Sequence, residues 1–148
     1  MPGGVIIPNR IKPKDDKGYF EVITRSVFQA GFSFEVIERK WEGFKEVFSN
    51  FDPIIISKWS DADIVNALES PLIVRNPRKI KATVENAQTF LKIVKENGSF
   101  ANYIDSMKNF DYEDKSEEIS SKFKWMGKTG TFVFFYSINE DVPDWEDR

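Results

Sequence analysis

Cysteine and histidine are both absent from the 148 residues of this chain. No disulfide can form, and zinc sites built on thiolate or imidazole are excluded. Ser–His and Cys–His nucleophile pairs are excluded with them, which leaves acid–base work to carboxylates, Lys, Tyr or Ser. No apolar run approaches the roughly 20 residues of a membrane span, and the N-terminus lacks the apolar stretch of a signal peptide. The expectation is a cytoplasmic protein with no membrane partner. Positive charge is not in excess either: 21 Lys and Arg stand against 24 Asp and Glu, a net charge of −3. Broad electrostatic adhesion to nucleic acid is therefore disfavoured, and any such binding needs a local patch.

What the chain does have is aromatic bulk, with 14 Phe and 4 Trp. Its length suits one domain with a sizeable core. We expect a single helical domain over residues 1–148, with a loosely packed N-terminal segment (1–15) and an acidic tail (139–148), and no repeats. A monomer without a cofactor is the expectation. Val5-Ile6-Ile7 could lie against the core.

The organising stretch is Ser26 to Trp41, SVFQAGFSFEVIERKW. Val27, Phe34, Ile37 and Trp41, followed by Phe44 and Phe48, mostly recur three or four apart, as on a helical face turned inward. Gln29-Ala30-Gly31 interrupts that face with residues that allow close backbone approach. On pattern alone this is also how a helix–turn–helix corner of an ordinary bundle looks. The first helix is expected from about Asp16 to Phe28, with Phe20, Ile23 and Val27 inward. A second runs from about Phe34 to Asn50, capped by Ser33 and stopped at Asp52-Pro53. Pro53 to Lys58 is a short apolar link. Ser60 with Asp61 and Asp63 starts a third helix presenting Ile64, Val65 and Leu68. Asn76-Pro77 starts a fourth, striped by Ile80, Val84, Ala87, Leu91 and Val94 and ended by Asn97-Gly98. Ser99 caps a fifth, with Phe100, Tyr103, Ile104 and Met107 inward. Asn109 to Glu118 is charged and resembles a loop, and Ile119, Phe123 and Met126 suggest a further short helix. Thr131 to Ile138, TFVFFYSI, has strand propensity.

The third helix, the link Ser70 to Arg75 and the fourth helix make a helix–hairpin–helix. Free N–H groups and the dipole at the start of the fourth helix attract an anion, and Arg75, Arg78, Lys79 and Lys81 concentrate positive charge there. The plainer alternative is a solvated helix end. Arg75, Asn76, Arg78 and Lys79 are the candidates for phosphate contact.

QAGFSF followed by VIERKWEGFKEVFSNFDP resembles the QAGLSW…ILRKR…F…FDP signature of the 3-methyladenine DNA glycosylase I family. Pro71-Leu72-Ile73-Val74-Arg75-Asn76, Lys79-Ile80, Asn86-Ala87 and Gly98-Ser99-Phe100 follow in the family's order, where it has GIIRN…KI…NA…GSF. The match covers roughly Asp15 to Phe100, and Lys122 to Thr129 loosely.

The resemblance implies an all-α helix–hairpin–helix glycosylase fold, in which Thr131 to Ile138 is helix. It implies double-stranded DNA carrying an alkylated base as partner, a base flipped into an aromatic pocket, and hydrolysis by water without a covalent intermediate. Phe34 falls on the family's pocket Trp, and Gln29, Ala30 and Gly31 on the pocket wall. The family's pocket Glu falls on Ser26. The Tyr and Trp of its N-terminal segment have no counterparts in the equivalent stretch, Gly4 to Asn9. The zinc that ties the family's termini cannot form. Glu21 and Glu35 are carboxylates that could substitute at the pocket, against the plainer reading of solvated surface acids. Three functions stay open: hydrolysis of alkylated purines from DNA, a DNA-binding module without catalysis, and a helical domain kept for a protein partner.

Overall fold

The computed structural model describes residues 9–148, so Val5-Ile6-Ile7 and the stretch Gly4 to Pro8 lie outside it. Nine α-helices and two 3-10 turns make up the described residues, with no strand among them. α1 (Asp16–Gln29) is the central element and packs against α9 (Lys128–Ser137), α6 (Pro77–Asn97) and α7 (Phe100–Asp105). The other helices are α2 (Phe34–Arg39), α3 (Trp41–Val47), α4 (Pro53–Ile56), α5 (Asp61–Glu69) and α8 (Tyr112–Lys122).

Most helix starts are set by side chains that satisfy the first free N–H groups. Asp15 accepts from Gly18 N at 2.9 Å, Asp52 from Ile54 N at 2.9 Å, and Ser99 from Asn102 N at 3.0 Å. Ser60 and Asp63 cap each other's backbone in a reciprocal box at 2.8 and 3.3 Å. α5 and α6, joined by the short link from Ser70, form the helix–hairpin–helix.

Two aromatic layers fill the interior. Phe90 stacks on Phe100 at 4.5 Å, with Phe20 and Phe134 edge-on around them. Phe28, Phe44 and Phe48 form the second layer, continued by Trp41 stacked on Phe51 at 4.9 Å. Attractions between offset and edge-on rings add to the burial.

The expected helix Phe34 to Asn50 is broken. It ends at Arg39, pivots on Lys40 (φ −94°, ψ 2°), and resumes at Trp41. Beyond Phe48 the chain turns left-handed through Ser49, Asn50 and Phe51, with φ of 52°, 54° and 58°. Left-handed backbone at three consecutive non-glycine residues is costly. It is held by the full burial of Phe48, just before it, and of Phe51, its last residue. The apolar link Pro53 to Lys58 is largely the helical turn α4, packed on α6. Asn109 to Glu118 is not a loop: Asp111 caps α8 by accepting from Asp114 N at 2.9 Å, and acids occupy its first turn. Thr131 to Ile138 lies mostly in α9, where Phe132, Phe134 and Phe135 are buried. Tertiary burial overrides strand propensity there. Val65, expected inward, is exposed.

Both ends of the described residues are fastened. Ile11 N donates to Ser137 O at 3.0 Å, and the Arg10 guanidinium donates to the carbonyls of Tyr136 and Glu140. In the acidic tail, Trp145 packs edge-on against Phe132 at 5.3 Å, and Arg148 donates to Thr129 Oγ1 at 3.0 Å.

The hairpin seats on α3 through Gly43. A Cβ there would overlap the Leu72 carbonyl and lie 2.9 Å from Leu72 Cβ. In an open helix Gly→Ala gains about 1 kcal/mol. Here the overlap reverses the sign, and Gly43→Ala is expected to cost about 1–3 kcal/mol by denaturant unfolding. A stabilised variant would mean that the hairpin does not sit on α3.

Candidate functional site

The N-terminus of α6 is built by Asn76 and Pro77. Asn76 Oδ1 accepts from Lys79 N at 3.1 Å and Asn76 O from Ile80 N at 3.0 Å, while Pro77 has no N–H. That leaves Arg78 N–H as the first-turn donor with no protein acceptor among the described residues. The hairpin N–H groups of Ile73, Val74 and Arg75 are likewise without one. Arg75 and Arg78 are exposed beside them. Free N–H donors, a helix dipole and two guanidinium groups together make an anion-binding corner. A groove of about 470 Å³ runs from it along Val74 to Phe28 and Phe32.

Lys79 does not belong to that surface, contrary to expectation. It is 5% exposed, and its ammonium donates to Phe28 O at 3.1 Å and Ala30 O at 2.5 Å. Burial pushes its pKa below the usual lysine value. The two carbonyls it binds close the C-terminal end of α1, where the helix dipole is negative and favours a cation. Lys79 is therefore a tie between the start of α6 and the end of α1. Its place was legible in the sequence. Lys79, Thr83, Asn86 and Phe90 are spaced four, three and four apart and are all buried, the spacing of an inward stripe.

The tie holds the turn that begins at Ala30. Gly31 has φ +71° and no atom within 4 Å of where a Cβ would stand. Ser33 accepts from Val36 N at 3.4 Å and starts α2 at Phe34. Gln29 Nε2 is buried without a partner among the described residues, an unusual state for an amide donor. Phe34 lines a groove of about 420 Å³ with Asn9, Glu21, Val22, Arg25 and Glu38 among its walls, whereas Gln29, Ala30 and Gly31, expected at the pocket wall, do not line it because the chain turns away at Gly31.

Ser26 does not line this groove. It is 1% exposed, and its hydroxyl donates to Val22 O at 2.9 Å within its own helix. Glu21, offered by the sequence as a substitute acid, is engaged: it accepts the Trp41 indole N–H at 2.8 Å and lies 3.7 Å from Arg25. Glu35 is exposed and outside the groove walls. Two wall residues went unnoticed in the sequence. Arg25 lies over the Trp41 ring at 4.6 Å, and Glu38, half exposed, pairs with Arg25 at 3.8 Å. The four-residue step from Glu21 to Arg25 was the available signal. Glu38 carried none, because its pairing crosses between helices. No group of His, Cys, Asp or Glu suited to a metal occurs among the described residues. No helix among them is long and apolar enough to cross a membrane.

The sequence profile of the methyladenine glycosylase family matches residues 11–131. A DNA-3-methyladenine glycosylase of Haemophilus influenzae is 33% identical over 99 residues, covering 66% of this chain and 54% of that protein. DNA-3-methyladenine glycosylase 1 of Escherichia coli is 28% identical over 95 residues, covering 64% and 51%. The chain thus spans about half the length of the curated relatives it matches. The structure of 3-methyladenine DNA glycosylase I from Staphylococcus aureus superposes with a TM-score of 0.78 at 26% identity, over 86% of this chain and 78% of that one.

The buried tie makes a distinct demand on stability. Lys79→Met strands two carbonyls and removes hydrogen bonds from a charged donor, and should cost on the order of 2–3 kcal/mol. Lys81→Met, at an exposed position on the same helix, should stay within about 0.5 kcal/mol. Chemical denaturation of both variants checks this, and equal effects would contradict the tie.

Proposed function

The chain belongs to the methyladenine glycosylase family, and from that premise we propose that it removes alkylated purines, 3-methyladenine foremost, from double-stranded DNA. The reaction is hydrolysis of the N-glycosidic bond. The observation that carries this reading is the Lys79 tie, which sets the anion-binding start of α6 beside the turn leading to Phe34. A phosphate at Arg75, Asn76 and Arg78 fixes the strand, and the flipped base lies against Phe34 in the groove walled by Glu21, Arg25 and Glu38.

N3-alkylated adenine in DNA is cationic. Aromatic faces attract a cation more than a neutral ring. Its charge also makes the base a good leaving group, so little acid catalysis is needed. The bond from C1′ to the base nitrogen breaks, the electron pair leaves with the base, and water adds at C1′ and loses a proton to solvent. No covalent enzyme intermediate forms. Ser26 is a poor candidate for recognising the base, since its hydroxyl is committed to Val22. The groove itself compensates in part: Glu21 and Glu38 outnumber Arg25 among its charged walls, which favours a cationic occupant.

The same Ser26 hydrogen bond favours a second reading, a DNA-binding module with weakened or absent chemistry.

Release of free base from alkylated duplex, followed over time, separates the two. Wild type is expected to release 3-methyladenine slowly but above the spontaneous rate. Phe34→Ala should slow release roughly ten- to a hundred-fold through loss of stacking. Ser26→Ala should leave it within about two-fold, because an internal helix bond contributes little to a transition state. If wild type releases nothing above the spontaneous rate, the enzyme reading fails and the module reading replaces it.

A further inference from the structure

On the proposed reading that DNA is the ligand, we infer that Trp125 is a second aromatic contact to it, a platform on which an unstacked base of the bound strand rests. Trp125 lies in the short segment between α8 and α9. Its neighbours Phe123 and Met126 are buried, yet Trp125 itself is 45% exposed. Its backbone has φ +61°, the left-handed region that a bulky residue rarely enters. Backbone of this kind persists where surrounding contacts enforce it. Here the enforcement comes from Asn86, which is 2% exposed. Its side chain donates to Lys124 O at 3.1 Å and accepts from Lys124 N at 2.7 Å. A buried amide thus grips both the N–H and the C=O of the residue before Trp125 and holds the indole outward.

The position of the ring gives it a role. Its centroid is 5.9 Å from Lys79 Nζ, the ammonium that binds Phe28 and Ala30. The indole therefore adjoins the turn between α1 and α2 and the start of α6, the two pieces assigned to base and phosphate. Lys124 on the same segment is exposed, as are Arg75 and Arg78 on the hairpin. An exposed indole beside basic groups, in a chain of net charge −3, suits a polyanion with flat bases. Every base offers a π face, so such a contact is tolerant of sequence.

Stacking and phosphate contact leave different marks on binding. Stacking releases no condensed counterions, so its loss weakens affinity without changing the salt slope. Duplex carrying an inert abasic-site analogue is titrated by fluorescence anisotropy over a salt series. Trp125→Ala should bind roughly ten-fold more weakly at every salt concentration, with the wild-type slope. Trp125→Phe should recover most of the loss, and Arg78→Glu should flatten the slope. Thermal melting of Trp125→Ala and Trp125→Phe shows whether either is misfolded, and the Phe variant keeps the ring if the Ala variant is. Undiminished affinity in Trp125→Ala, or a loss that Trp125→Phe does not recover, overturns the platform while leaving the DNA reading intact. Absence of binding by wild type removes both.

Discussion

One buried ammonium organises the functional face. Lys79 gives up most of its hydration to lie between the end of α1 and the start of α6. An unpaired charge there would be untenable, and two carbonyls at the negative end of a helix make it acceptable. The end of α1, the Ala30 carbonyl that opens the next turn and the ring of Trp125 meet at this ammonium. Phe34 follows directly from that turn. Gly43 adds a second constraint from the other side, letting the hairpin settle against α3 without a side chain between them.

The helix starts were legible because their chemistry is local. Ser60 with Asp63, Asn76 with Pro77, and Ser99 each state a cap within four residues, and the structure places helices at all three. The break at Lys40 was not legible, since no proline or glycine marks it and the apolar spacing runs through it. α8 was hidden for a related reason: it buries little besides Ile119, so its charged sequence resembled a loop although Asp111 announced a cap.

The site was partly legible. QAGFSF and the run from Arg75 to Lys79 carried the resemblance, and the family profile covers both. Individual roles were less secure. Lys79 was grouped with its exposed neighbours by composition, while its four-three-four spacing with Thr83, Asn86 and Phe90 assigned it to the interior. Ser26 was judged by the family position it occupies, and the backbone bond to Val22 shows how the fold uses it instead. Arg25 carried only the four-residue step from Glu21 as a signal, while Glu38 and Trp125 came forward only with the structure, because each depends on a partner distant in the chain.

The relation between Lys79 and DNA tests this account most directly. If the ammonium is an internal tie, Lys79→Met loosens the turn and the hairpin but removes no phosphate contact. Its affinity for duplex should fall while the dependence of log affinity on log salt keeps the wild-type slope. A slope smaller in magnitude by about 0.9, the value for one lost phosphate contact, would put Lys79 on the DNA surface and contradict the tie.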